Sequence, residues 1–205
     1  MRKKATDVMT EDVPETEEKK TFKEKGLSFL YDVVSVFLVS VVIMGLLFTF
    51  LVRIVGVVGE SMEPTLYTSD FVFISQVGDY KPRYGDIVVI SQPNDYNRTI
   101  VKRIIATEGQ TIDIDFDLGI VYINGSEVVE PYIKNETTNH YDMEFPITIP
   151  EGYCFVMGDN RQGSIDSRST TIGLIQEDYI MGKAVYALTD NGYESLELSI
   201  SNLRK

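Results

Sequence analysis

The 205-residue sequence contains a single cysteine, Cys154, and a single histidine, His140. One cysteine excludes an intrachain disulfide, and its apolar neighbours indicate a buried, unreactive thiol. With no second histidine and no cysteine cluster, we expect no metal site, because catalytic zinc is held by several such ligands. A serine–histidine–aspartate triad would have to use His140, which lies in a polar stretch, so we do not favour that mechanism.

Positive charge is scarce in most of the chain. Residues 1–53 contain eight basic and eight acidic residues, whereas residues 54–205 contain eleven basic and twenty-three acidic residues. The whole formal net charge of −12 therefore belongs to the second segment. Nucleic-acid binding needs basic patches that displace counterions, so the composition argues against a nucleic-acid partner. The sequence also lacks an S-x-x-K tetrapeptide, which argues against a penicillin-binding type of site.

One long run without charge occupies residues 33–52. As a helix, such a run spans roughly 30 Å, the thickness of the hydrocarbon core of a bilayer. It is longer than the apolar core of a cleaved signal peptide and lacks an A-x-A-like exit. We therefore predict a retained transmembrane helix over residues 27–53. Residues 1–26, which have mixed charge, are predicted to form a disordered cytoplasmic tail.

Basic residues flank this predicted helix unevenly. Arg53 alone follows the apolar run closely. The lysines that precede it are Lys19, Lys20, Lys23 and Lys25. The positive-inside rule therefore puts the N-terminus in the cytoplasm and residues 54–205 outside the cell. The sequence therefore predicts a single-pass protein of the cell membrane, with the lipid bilayer as one of its partners.

Residues 54–205 are predicted to form a mainly β domain. Short runs rich in valine, isoleucine, tyrosine and phenylalanine recur there, separated by turn residues. The predicted strands are 71–75, 86–91, 100–106, 119–123, 153–157 and 182–188. Asn124-Gly125 predicts a two-residue hairpin turn. The sequence leaves open whether residues 107–150 form an inserted lobe or extend the main sheet.

Three polar segments are candidates for chemistry, and the first is GESMEPTL at 59–66. Gly59 permits a tight turn before Ser61, and Pro64 stiffens the loop after it. Only eight residues separate Ser61 from Arg53, a reach of roughly 26 Å when fully extended, so Ser61 is expected near the membrane surface. Taken alone, this serine could be a nucleophile or an ordinary turn residue.

The second segment is TIVKRII at 99–105. On a strand, Lys102 and Arg103 point to opposite faces, so one cation must lie among aliphatic side chains. Lysine yields its proton on burial, whereas arginine stays charged. Lowering a lysine pKa by about three units needs about 4 kcal/mol of desolvation, which is within the range known for buried lysines. The alternative is an edge-strand lysine that points to water.

The third segment is GDNRQGSIDSR at 158–168, which is too polar for a strand. It is either a solvated turn or a structured loop in which aspartate and arginine pair and hydroxyls orient a catalytic group. Ser164 suits the second interpretation, because a hydroxyl can fix a lysine amine without adding charge.

In order and spacing, these segments, with the downstream Gly173 and 182–184, resemble the sequence boxes of bacterial type I signal peptidases. The resemblance spans residues 30–188, and the single anchor resembles the Gram-positive-type branch. It implies a transmembrane helix followed by an antiparallel β-sheet or coiled β-barrel domain of the signal peptidase type. It also implies a membrane-bound serine endopeptidase that removes signal peptides from exported preproteins without a metal or cofactor.

The resemblance also implies individual roles. Ser61 corresponds to the family nucleophile, Lys102 to the general base and Ser164 to the serine that hydrogen-bonds this lysine. Gly59 stands where a well-known branch has serine, so the oxyanion hole would depend on backbone N–H groups, chiefly that of Ser61. Loop residues that would order the site are Asp159, Asp166 and Arg168. The substrate pockets would be lined by Val55, Val57, Val58, Met62, Leu66, Val72, Ile100 and Val101.

Two other interpretations remain open. A self-cleaving repressor-type peptidase would share the serine–lysine chemistry, although the predicted membrane span and the third segment argue against it. A catalytically inactive membrane-anchored β-domain that acts in binding, or in pilus or wall protein assembly, would not need Ser61, Lys102 and Ser164 together.

Overall fold

The structure is a computed structural model that describes residues 15–75, 80–91 and 98–196. The chain divides into two compact units, Met1–Leu47 and Phe48–Lys205. This division does not test membrane crossing or topology. The domain boundaries predicted from the sequence therefore stay a prediction.

One long helix, α1, spans Glu15–Leu51. It begins earlier than expected, because residues 15–26 were predicted to belong to a disordered tail and are helical here. Residues 1–14 of that tail lie outside the described residues. Within α1, Lys25–Leu46 has a mean hydropathy of 2.3 and is long and apolar enough to cross a membrane.

The mixed charge of residues 15–26, which indicated disorder, is thus compatible with a helical extension of the apolar segment.

The rest of the described chain is mainly antiparallel β, which confirms the predicted fold class. The strands are β1 Val52–Gly56, β2 Phe71–Ser75, β3 Ile87–Ile90, β4 Ile100–Thr107, β5 Thr111–Asp115, β6 Ile120–Ile123, β7 Ser126–Glu127, β8 Ile147–Thr148, β9 Tyr153–Met157, β10 Ile175–Gln176, β11 Ile180–Thr189 and β12 Gly192–Ser195. A single turn of 3₁₀ helix, Glu177–Tyr179, precedes β11.

Two sheets organise these strands. Eight strands form a curled half-barrel in the order β1-β2-β11-β3-β4-β9-β10, with β12 paired to β11. The remaining four form a second sheet in the order β7-β6-β5-β8. Residues 107–150, whose arrangement the sequence left open, therefore contain a sheet of their own instead of extending the main one.

The main sheet buries both of its faces around β3. Ile87 and Val89 belong to one hydrophobic cluster, whereas Val88 and Ile90 belong to another. A strand buried on both sides needs an unbroken apolar run, which the sequence IVVI supplies. A third cluster, which includes Phe155, joins β9 to the second sheet.

The turn between β6 and β7 follows the sequence signal. Asn124 and Gly125 have φ angles of 52° and 77°, the left-handed conformation that both central residues of a type I′ turn adopt. This confirms the hairpin predicted from the Asn-Gly pair.

The register of β4 leaves part of one strand edge open. Ile100–Arg103 pair with β3, but pairing of β4 with β9 begins only at Arg103. At the far end of the same sheet, β1 pairs with β2 alone. Each of these two edges therefore has backbone groups that could pair with a further strand.

Replacing Phe155 by alanine tests the third hydrophobic cluster. Phe155 is fully buried, with its ring 5.9 Å from that of Phe145, so Phe155→Ala should lower the free energy of unfolding by about 3–5 kcal/mol. Denaturant unfolding of the full chain in detergent measures this loss. Phe71→Ala is the control, because Phe71 is 47% exposed and should cost far less. Equal losses for the two variants would contradict this account of the core.

Candidate active site

The GESMEPTL segment forms a tight turn pinned to the main core. Met62 and Leu66 are buried in the cluster beneath β2 and β11, and the Leu66 N–H donates to the Met62 carbonyl at 2.9 Å. Ser61 directly precedes the buried Met62, so its side chain is held at the boundary between core and solvent. Gly59 has a φ of 101°, a conformation that disfavours any side chain with a Cβ.

Thr68 hydrogen-bonds to Gly59 in this turn, a contact that sequence reasoning missed. The Gly59 N–H donates to Thr68 Oγ1 at 3.1 Å, and the Thr68 hydroxyl lies at the same distance from the Gly59 carbonyl oxygen. The Gly59 N–H is therefore already engaged. No acceptor for the Ser61 N–H is present among the described residues, so that donor is available.

Lys102 and Ser61 meet across the cleft between β4 and this turn. Lys102 Nζ donates to Ser61 Oγ at 2.7 Å, although 41 residues separate them in sequence. The Lys102 side chain is buried, with only 4% of the residue exposed. Burial lowers the pKa of Lys102 to about 8, while the carboxylates of Asp166 and Asp159 oppose this effect.

Lys102 differs from the other buried cations. Arg103, Arg161 and Arg168 are equally buried, and each forms an ion pair with a carboxylate at 2.6–2.8 Å. Among the described residues, Lys102 alone of these four lacks such a partner within salt-bridge distance. Because burial disfavours the charged form and no carboxylate within ion-pair distance offsets it fully, the pKa of Lys102 falls to about 8.

Both cations of β4, Lys102 and Arg103, are buried, whereas strand alternation required burial of only one. Arg103 binds Asp159 bidentately, through Nε at 2.8 Å and Nη2 at 2.6 Å, and donates to the Gly85 carbonyl at 2.8 Å. The two cations have different fates because one has a carboxylate within reach and the other has a hydroxyl.

The third segment is a structured loop that orders itself through aspartate–arginine pairs. Arg168 binds Asp166 at 2.8 and 2.9 Å, and Asp166 also accepts the Gly158 N–H at 3.0 Å. Asp159 binds Arg103 on β4 and Thr65 in the serine turn. The loop therefore joins the strand of Lys102 to the turn of Ser61.

Ser164 is close to the site but does not form the predicted hydrogen bond to Lys102. Its hydroxyl is buried and has no hydrogen-bond partner among the described residues. Gly158 explains the packing: a Cβ there would lie 2.3 Å from Ser164 Oγ and 2.4 Å from the Ser61 carbonyl oxygen. Because Gly158 has no side chain, both the Ser164 hydroxyl and the Ser61 carbonyl can pack against it.

Asn160 is a site residue that sequence reasoning missed. Its N–H donates to the Ser61 carbonyl at 3.0 Å, and its Nδ2 donates to the Glu60 carbonyl at 3.1 Å. Asn160 thus fixes the peptide groups on both sides of Ser61. Its position inside the polar third segment was the available signal.

A cleft of about 420 Å³ opens beside Ser61 and Lys102. Six predicted pocket residues line it: Val55, Val57, Val58, Met62, Ile100 and Val101. Leu66 and Val72 are fully buried in the underlying core and are not among its lining residues. The lining also includes side chains that were not predicted, namely Glu60, Arg98, Thr99 and Ile165. Of these, Ile165 has the clearest signal in the sequence, because it is an apolar residue within the polar third segment.

Comparisons with known proteins find similarity over most of this chain. The family described as signal peptidase, peptidase S26, matches residues 30–189. The chain is similar to signal peptidase I of Bacillus licheniformis, with 36% identity over 83% of this chain and 93% of that protein. It is also similar to signal peptidase I T of Bacillus subtilis, with 34% identity over 87% of this chain and 94% of that protein. A crystal structure of a signal peptidase I from Enterococcus faecalis matches with a TM-score of 0.42 and 29% identity, over 52% of this chain and 98% of that one.

Removing the carboxylate of Asp159 should destabilise the protein strongly. Asp159→Asn leaves the Arg103 charge buried without its counter-ion, which costs about 3–5 kcal/mol. Denaturant unfolding of the full chain in detergent measures the loss. Glu63→Gln is the matched control, because it breaks the exposed pair with Lys134 and should change stability little. An Asp159→Asn variant as stable as the control would refute the role given to this ion pair.

Proposed function

This chain belongs to the signal peptidase family, peptidase S26, and from that premise we propose that it cleaves signal peptides from exported preproteins with Ser61 and Lys102. The observation that carries the proposal is the 2.7 Å hydrogen bond between a buried, weakly basic amine and the Ser61 hydroxyl. A neutral amine at this distance is a general base for a serine nucleophile.

The reaction follows from these two groups. Neutral Lys102 takes the Ser61 proton while Ser61 Oγ forms a bond to the carbonyl carbon of the scissile peptide. The resulting tetrahedral intermediate collapses as the C–N bond breaks, and protonated Lys102 gives its proton to the leaving amine. Water then attacks the acyl-enzyme, with Lys102 again accepting a proton, and Ser61 recovers its hydroxyl hydrogen.

The oxyanion of the intermediate would be stabilised by the Ser61 N–H. This donor has no acceptor among the described residues, whereas the Gly59 N–H is engaged by Thr68. Because Gly59 has no side chain, it contributes no hydroxyl to the oxyanion hole. The reaction would therefore depend on a backbone donor that the turn holds in place.

The cleft suits an extended peptide with small side chains. One wall is β1, the outer strand of the main sheet, and the other is the part of β4 that pairs only with β3. A substrate strand could add to these edges through main-chain hydrogen bonds, as in other cases of β-augmentation. Val55, Val57 and Val101 line the same cleft as Ser61, and these apolar walls would favour small apolar side chains in the substrate.

Membrane anchoring completes the proposal. Lys25–Leu46 would cross the bilayer, with the N-terminus in the cytoplasm because lysines cluster before this segment. Residues 1–26 would form a cytoplasmic tail and residues 27–53 the membrane anchor. The domain of residues 54–205 would then act outside the cell. The alternative of an inactive binding domain is less favoured, because it gives no reason to bury a lysine without a counter-ion.

Substitution of either reacting group should abolish cleavage. Ser61→Ala removes the nucleophile and Lys102→Ala removes the base, so each should lower kcat by at least about 1,000-fold while the chain stays folded. The measurement is cleavage of a preprotein with an A-x-A site by the full chain in detergent micelles. Exposed residues of the same types serve as controls, and Ser126→Ala and Lys81→Ala should retain activity. Robust cleavage by Lys102→Ala would exclude the dyad.

Activity should rise with pH through the pKa of the free enzyme's base. Because Lys102 must be neutral to act, kcat/KM should fall about tenfold for each pH unit below about 8. The pH dependence of preprotein cleavage measures this limb directly. An apparent pKa near 10 would mean that Lys102 is solvated and would contradict the proposed base.

A further inference from the structure

The segment 128–143 connects β7 to β8 and packs against the polar loop 158–168; we call it the brace. It contains no strand, yet it makes hydrogen bonds to that loop along most of its length. The Lys134 N–H donates to the Asp159 carbonyl at 2.9 Å, and the Tyr141 hydroxyl donates to the Ser164 carbonyl at 2.9 Å. The mechanism above uses none of these brace residues.

Glu130 makes the strongest of these contacts. Its carboxylate accepts two hydrogen bonds from Arg161, at 2.6 and 2.8 Å, and the side chains are 5% and 0% exposed. Thr137, also in the brace, accepts a third hydrogen bond from Arg161 at 2.6 Å. A buried, bidentate arginine–carboxylate pair fixes geometry as well as charge.

Arg161 connects Glu130 to the backbone of the loop beside Ser61. Its Nε donates to the Gly158 carbonyl at 3.0 Å, and its own carbonyl accepts from Arg168 at 2.7 Å. Gly158 lies against the Ser61 carbonyl so closely that no Cβ fits between them. A shift of Arg161 would therefore displace Gly158, which packs against the Ser61 carbonyl.

Tyr132 links the brace to β4 as well. Its ring lies under the Arg103 guanidinium, 4.0 Å from the ring centroid, and its hydroxyl donates to Glu130 at 2.9 Å. Arg103 directly follows Lys102 and binds Asp159. The brace thus contacts both halves of the site, the strand that carries Lys102 and the loop that supports Ser61.

We infer that Glu130 is a positioning residue for the Ser61–Lys102 pair, holding the 158–168 loop through Arg161 so that the lysine amine stays dry and within reach of the serine. This inference rests on the proposed function only for its effect on rate. Its structural consequence, the hydration of Lys102, can be measured without any substrate.

The direction of the Lys102 response distinguishes loosening from a simple loss of charge. Lys102 faces Ser61, and the charged groups that act on it are Asp166, Asp159 and Arg168. Removing the negative charge of Glu130 alone would, if anything, lower the lysine pKa. Entry of water through a loosened loop would instead raise it from about 8 toward its ordinary value.

The experiment compares Glu130→Gln with the wild type in the full chain in detergent micelles. For Glu130→Gln we expect kcat for preprotein cleavage to fall about tenfold with KM changed less than about twofold, because β1 and β4, the two strands that would pair with the substrate, are untouched. We also expect the Lys102 pKa, followed by NMR of its labelled side chain, to rise by about one unit. Glu127→Gln, the same change at an exposed site on β7, should leave both quantities unaltered.

Each outcome decides the inference. A folded Glu130→Gln variant with normal kcat and an unshifted Lys102 pKa would reduce Glu130 to a structural residue and overturn the proposal. If Glu130→Gln does not fold, two smaller changes in the same network are judged by the same two readouts: Thr137→Val removes one hydrogen bond, to Arg161, and Tyr132→Phe removes two, to Glu130 and Tyr84. If the wild type cleaves no preprotein, the proposed function fails, while the lysine titration still decides whether the brace keeps Lys102 dry.

Discussion

A lysine amine that is buried, unpaired by any carboxylate among the described residues and hydrogen-bonded to a serine hydroxyl is the feature on which the site depends. The 4% exposure of Lys102 destabilises its charged form, and the hydrogen bond to Ser61 gives the neutral form a partner. Desolvation has a cost, because an unpaired polar group in the core opposes folding. The rest of the domain supplies the packing that makes this arrangement stable.

The surrounding charges follow a consistent pattern. Three arginines are buried near the site, and each has its own carboxylate: Asp159 for Arg103, Glu130 for Arg161 and Asp166 for Arg168. Pairing each permanent cation with an anion keeps the local field close to neutral. Lys102 therefore titrates mainly under the influence of its own burial, with the nearby carboxylates limiting how far its pKa falls.

The same ion pairs connect parts of the chain that are distant in sequence. Asp159 bonds to β4 and to the serine turn, and Glu130 ties the second sheet's connecting segment to the polar loop. A hydrogen-bonded network of this kind is fully effective only when every member has its partner. The second sheet therefore contributes to the geometry of the cleft although its strands do not line it.

The cleft itself results from how two strands end their pairing. Pairing of β9 with β4 starts at Arg103, one residue after Lys102, so the edge of β4 is open on the side of the reacting groups. The turn that carries Ser61 continues directly from β1, the other open strand. Ser61, Lys102 and the two open strand edges thus meet at one place in the curled sheet.

Local patterns in the sequence determined much of this protein. The apolar run, the strand periodicity and the Asn124-Gly125 turn depend on interactions between near neighbours, so they could be predicted from composition and spacing. The Ser61 and Lys102 boxes could be recognised as a set, although their joint action stays a prediction for experiment. The helical residues 15–26 were missed because mixed charge is compatible with both a disordered tail and a helix end.

Only the tertiary structure decided how distant side chains were paired. The sequence could not show that Asp159 binds Arg103 or that Glu130 binds Arg161. It also could not show that the Ser164 hydroxyl packs against Gly158 without a hydrogen bond to Lys102. Strand register and the approach of two loops set these contacts, and both depend on the packing of the whole domain. Ion pairs between residues tens of positions apart leave no local periodicity, which is why the sequence alone does not contain a readable signal for them.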